Sequence, residues 1–278
     1  MPTAVFSVLA AVFDDSETKP RATIRRMAKK KETDAALEAL IRGDAARLRE
    51  LFAGPGAAAA LKRVGAELDE DDEGQLALLL ELAPQLLKLE LPDALFLHLV
   101  RAALGEAGPA RAPMQAMPYG APDVNPGEAV LAAVEPRVRK RKGLGDQLAY
   151  LAFQLSQEGR FEASIALFDR LVDVPGLDKT AYNNALWAVM EDNSKLAVQP
   201  ERHRRFLAAC LPHGPDNPAI FYNAACLYYE LGELEGVFEQ IRLALEHGYS
   251  KPEQIRNEPL FAPIADDPRF AAAFGDEA

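Results

Sequence analysis

The side chains in this 278-residue sequence best suited to metal binding or nucleophilic chemistry are four histidines and two cysteines. They are His98, His203, His213, His247, Cys210 and Cys226. A zinc site draws such ligands from a compact, recurrent spacing, and these six share none. His98 lies in the apolar run Leu95-Phe-Leu-His-Leu-Val100, where a histidine is expected to be a core or interface residue. Both cysteines fall in helical patterns, where a thiol behaves as a small apolar group, and two cysteines make no disulfide framework. The acidic run Asp69-Glu-Asp-Asp-Glu73 lacks the spaced ligands and central glycine of a calcium loop. It suits the positive end of a helix instead. There is no glycine-rich phosphate loop and no GxSxG elbow. The sequence therefore predicts no catalytic residue, no metal and no cofactor.

One polar pattern does repeat. Tyr182-Asn183 and Tyr222-Asn223 each open a helical run, and asparagine has no intrinsic advantage inside a helix. Its recurrence in one register calls for a hydrogen-bonding reason. A partner's backbone would supply one, and so would a bond between helices. Tyrosine beside it offers broad contact area with a polar tip.

Composition narrows the classes. Hydrophobic residues make up 49% and charged residues 26%, as in folded globular proteins. The net charge of -11 argues against a general nucleic-acid binder, since phosphate would be repelled. No apolar run approaches the ~18 residues of a membrane span. The run Ala4 to Phe13 has no preceding basic residue and makes a poor secretory signal. A cytoplasmic location is expected, and the bias toward arginine and alanine fits a bacterial source.

The elements that position these residues are helices. Residues 1–32 read as an uncertain tail, with Met27-Ala-Lys-Lys-Lys31 resembling an independent start. Residues 33–104 read as helical hairpins, with Asp44 capping the second helix. Leu37, Leu40, Ile41, Leu48, Leu51 and Phe52 are expected to form the seam of the first hairpin. Gln75 to Glu90 reads as one helix, kinked or divided at Pro84. Residues 105–127, interrupted by five prolines, read as a linker. The basic run Arg137-Val-Arg-Lys-Arg-Lys142 then follows a short helix, Glu128 to Glu135, at the C-terminal end where cations offset the dipole.

From Gln147 the chain becomes periodic. Leu148, Leu151, Ala152 and Leu155 make one helix face; Gly159 makes the turn; Ile165, Phe168 and Leu171 make a second face. Phe221, Ala224, Ala225 and Tyr228, then Gly232, then Val237, Ile241 and Ala244 repeat the scheme. Tyr182 opens a middle unit that lacks the turn glycine, and Pro200 opens that unit's second helix. Ala149, Tyr182 and Tyr222 are equivalent, at steps of 33 and 40 residues. The run Gly159 to Leu171, GRFEASIALFDRL, and the pattern around it resemble tetratricopeptide repeats, helix-turn-helix units of about 34 residues. The segment Tyr249 to Phe270 resembles the closing segment after a last repeat. In it, Ile255, Leu260, Phe261, Ile264 and Phe270 are placed to cover the final helix pair.

The resemblance implies an all-α fold, a helical-hairpin solenoid over residues 128–278 with an N-terminal helical module. It implies a non-enzymatic scaffold that binds a protein or peptide on the face lined by first helices. The residues it places there are Tyr150, Phe153, Tyr182, Asn183, Tyr222, Asn223 and Tyr229. Two other readings stand beside it: an immunity-type partner that neutralises a toxin, for which acidity gives electrostatic steering, and an enzyme with a site between the helical halves. The sequence leaves the oligomeric state open.

Overall fold

A computed structural model describes residues 34–68, 73–106, 126–141, 143–192 and 199–275. The expected tail, the acidic run apart from Glu73, most of the linker and the loop at 193–198 lie outside these residues. The fold is all-α: among the described residues there are helices and turns and no strand. No helix among them is long and apolar enough to cross a membrane. They fall into two compact units, one reaching Glu106 and including 126–130, the other running from Leu131 onward.

The first unit holds α1 (34–41), α2 (Ala45–Ala53), α3 (Ala57–Glu67), α4 (Glu73–Leu86) and α5 (Asp93–Glu106). Gly43, at φ 69°, ends α1, and Asp44 then accepts from the Arg47 amide at 2.9 Å to cap α2. Helix α2 packs on α3 and α4, and α5 packs on α3 and α4. The close approach of α3 and α5 is set at Gly65, where a Cβ would lie 3.0 Å from Leu95 Cβ. The expected seam needs one correction. Ala36, Ala39 and Leu40 form the buried stripe of α1, whereas Ile41 is 68% exposed. Positions 36, 39 and 40 share an i, i+3, i+4 face, and Ile41 lies about 100° further round. Helix α4 runs through Pro84 and ends at Leu86, four residues short of the expected limit.

Short helices α6 (Pro126–Ala132) and α7 (Val134–Val138) follow, so helical structure continues into the basic run. The second unit then presents three helix pairs. They are α8 (Leu144–Gln157) with α9 (Phe161–Leu171), α10 (Lys179–Asp192) with α11 (Pro200–Cys210), and α12 (Ala219–Glu230) with α13 (Leu234–Glu246). A 3₁₀ turn over Leu211–Asp216 separates the second pair from the third. The first and third pairs close in the same way. Gly159 and Gly232 adopt φ 75° and 73°. The next amides, of Arg160 and Glu233, reach back to Leu155 and Tyr228 at 2.9 Å each. This six-to-one bond satisfies carbonyls that a helix end leaves unpaired, and it requires a left-handed residue that glycine supplies without strain.

Successive first helices pack together, α8 on α10 and α10 on α12. Small residues recur among the large apolar ones on these helices. Ala152, Ala185, Ala224 and Ala225 are all buried, and their lack of bulk lets the backbones approach. The chain closes with α14 (Pro252–Arg256), a 3₁₀ turn (Pro259–Ile264) and α15 (Pro268–Ala273). Ile255, Phe261, Ile264 and Phe270 are buried in one cluster with Phe221, Val237 and Ile241, and Leu260 packs against it. The closing segment thus removes from water the apolar side of α12 and α13.

Candidate partner-binding face

Helices α8, α10 and α12 carry all seven residues expected to meet a partner, and the structure separates those residues into two groups. Tyr150, on α8, is 61% exposed. Phe153, one turn further along α8, is half-buried, and its ring lies 5.9 Å from that of Trp187 on α10. Tyr229, on α12, is half-buried with its ring edge-on to Phe261 at 5.9 Å. These rings keep contact with solvent.

Tyr182 and Tyr222 differ: they are 3% and 7% exposed. The Tyr182 hydroxyl donates to the Val174 carbonyl at 3.2 Å, and its ring stacks on His213 at 3.7 Å with 9° between planes. The Tyr222 hydroxyl donates to the Glu258 carboxylate, and its ring lies 5.4 Å from Tyr249. Each tyrosine of the repeated pair is therefore covered by the segment that follows its own helix pair. Burial raises both phenols above their ordinary pKa, and the Glu258 carboxylate adds to the effect at Tyr222.

The asparagines meet each other. Asn223 Nδ2 donates to Asn183 Oδ1 at 3.1 Å, with the Asn183 carbonyl a further 3.5 Å acceptor. Asn223 is 5% exposed, while Asn183 is half-buried. Of the two reasons for their recurrence, the bond between helices is present in the free chain. Asn223 is thereby closed to solvent rather than open to it, and Asn183 stays partly accessible beside Trp187.

Trp187 is the residue of this face that sequence reasoning passed over. It sits four positions after Asn183, so the two share one side of α10. It is the chain's one tryptophan; the spacing from Asn183 is a sequence signal, but its half-burial is visible only in the structure.

The potentially reactive groups are engaged elsewhere. Burial pushes the Cys210 and Cys226 thiols well above their usual pKa, so both stay protonated and inert. His203 is 2% exposed, and its Nδ1 donates to the Gln199 carbonyl at 2.7 Å. His213 stacks on Tyr182, and His247 lies 5.3 Å from the Phe221 ring. Among the described residues, no group of three His, Cys, Asp or Glu side chains is placed to hold a metal ion. What α8 and α10 offer is contact chemistry: flat aromatic surface, a tyrosine hydroxyl and an amide.

No protein-family model matches the chain, and neither a curated protein nor a solved structure matches it.

Proposed function

We propose that the chain is a non-enzymatic interaction module, a tetratricopeptide-like helical solenoid that binds a protein or peptide across its first helices. The observation that carries this reading is Tyr150, a large ring 61% exposed on the same helix as the half-buried Phe153. Trp187 extends the aromatic surface onto α10. Tyrosine and tryptophan are the side chains that most often anchor protein interfaces, because rigid rings cover much area with little lost entropy. The polar edge at Asn183 supports the same reading, since an amide can pair with the N–H and C=O of an extended chain. Within it, Asn223 ties α12 to α10, Tyr182 and Tyr222 anchor the segments that cover them, and Tyr150, Phe153, Asn183 and Trp187 touch the partner. Tyr229 borders the same face. A cytoplasmic setting in a bacterial cell fits this role.

A photo-reactive phenylalanine analogue at position 150 tests the reading. It should cross-link a discrete polypeptide in lysate of the producing cells. The same analogue at Glu239, exposed on α13, should not. Identical cross-linking patterns from both positions would overturn it.

A further inference from the structure

Residues 138–141 of the basic run have a structural setting that the partner-binding face does not use. Where α7 ends and α8 begins, Arg139, Lys140 and Arg141 line a cleft of about 480 Å³. Its apolar side is formed by Val138, Pro175 and Leu177. These residues close directly onto α8 because Gly145 has no side chain. A Cβ there would lie 2.5 Å from Leu177 Cδ2 and 2.8 Å from Val138 Cγ1.

The charge of this cleft runs against that of the chain. Three cations line it in a protein of net charge -11. Asp146 also lines the cleft, but its Oδ1 accepts the Asp178 amide at 2.9 Å, which ties that carboxylate to the α9–α10 connection. Arg139 is fixed at the rim by Glu135, through Nε at 3.0 Å and Nη2 at 2.9 Å. Lys140 is exposed at the same rim. Helix α8 begins at Leu144 with Gly143 as an N-cap that offers no side chain, so its positive end lies at the cleft, with Asp146 in its first turn.

We propose that this cleft binds a small organic phosphomonoester, the phosphate against Arg139, Lys140 and Arg141 and the organic body against Val138, Pro175 and Leu177. The volume suits a small ligand: such sites commonly span roughly 300–1,000 Å³ and combine apolar walls with few charged groups. Guanidinium and ammonium groups are the usual donors to phosphate oxygens. A nucleic acid fits less well, because it would need an extended basic stripe on a chain whose overall charge repels it.

Calorimetric titration at low ionic strength decides the matter, with phenyl phosphate as the organic phosphomonoester, inorganic phosphate as the free oxyanion and a single-stranded RNA oligomer as the polymer. Phenyl phosphate should saturate one site, at least tenfold more tightly than inorganic phosphate. Lys140→Glu should weaken it tenfold or more while the melting curve stays unchanged, since Lys140 is exposed. Lys140→Ala should show a smaller loss in the same direction. Three outcomes overturn the proposal. They are no saturable phenyl phosphate binding, binding that both Lys140 variants leave intact, and RNA binding tighter than phenyl phosphate that Lys140→Glu abolishes.

Discussion

Asn223 on α12 donates its side-chain amide to Asn183 Oδ1 on α10 at 3.1 Å, linking equivalent positions of two helix pairs 40 residues apart. The donor is 5% exposed, so the bond sits where water cannot replace it. It ties α12 to α10, the helix that carries Asn183 and Trp187 of the proposed partner surface. The consequences differ between the two residues. Asn183→Ala strands a buried amide and should cost about 1–3 kcal/mol. Asn223→Ala removes the buried group altogether and should cost about 1 kcal/mol, because half-buried Asn183 can turn to water. The double variant should be less destabilised than the sum of the singles. Urea denaturation of the four proteins measures this, and strict additivity would show that the amides do not interact.

Gly214, in the 3₁₀ turn before α12, is predicted to tolerate no side chain. A Cβ there would lie 2.3 Å from two ring carbons of Phe221. Phe221 is 4% exposed in the core of the last pair, so its ring has no space to withdraw. Gly214→Ala should destabilise the second unit by about 1–3 kcal/mol, the usual range for overpacking. A melting temperature equal to wild type would place Phe221 elsewhere.

Stability should fall on mild acidification through His203. Burial lowers its pKa below the ordinary value of 6.5. Glu230 Oε2, at 3.8 Å, is too distant for a hydrogen bond and does not reverse that direction. The unfolded chain therefore binds the proton first as pH drops through about 6.5, and the folded state loses stability from there down to its own lower pKa. His203→Asn keeps a donor near the Gln199 carbonyl and removes the titration. Denaturation midpoints between pH 7.5 and 5.5 should decline less steeply in this variant than in wild type.

Much of the second unit was legible because its signals are local. Gly159 and Gly232 mark turns by a backbone conformation that favours glycine. The alternation of Phe221, Ala224, Ala225 and Tyr228 marks a buried face at helical period. The apolar residues of the closing segment likewise announced a cover, and Ile255, Phe261 and Phe270 lie in the cluster they were expected to join. What sequence could not assign was the direction of each ring. Tyr182 and Tyr222 were expected on the accessible face, yet each is covered by a later segment, through His213 in one case and Tyr249 with Glu258 in the other. That contact depends on where the chain returns, which periodicity does not encode. Ile41 shows the same limit in the first unit: apolar type suggested a seam, and helix phase left it 68% exposed. Trp187 was hidden for the opposite reason, since its bulk reads as core until its helix side is known.

The central claim is that the face bearing Tyr150 takes a polypeptide partner, and a binding titration with one exposed substitution tests it most directly. The polypeptide identified by cross-linking at position 150 would be titrated against wild type, Tyr150→Ala, and Glu239→Ala as a control on α13. Tyr150→Ala should weaken binding about fivefold to 150-fold, equivalent to roughly 1–3 kcal/mol for an interface ring. Its melting curve should match wild type, because the ring is 61% exposed and supports little of the core. Glu239→Ala should bind as wild type does. Equal affinity of Tyr150→Ala and wild type, with both proteins folded, would contradict the account.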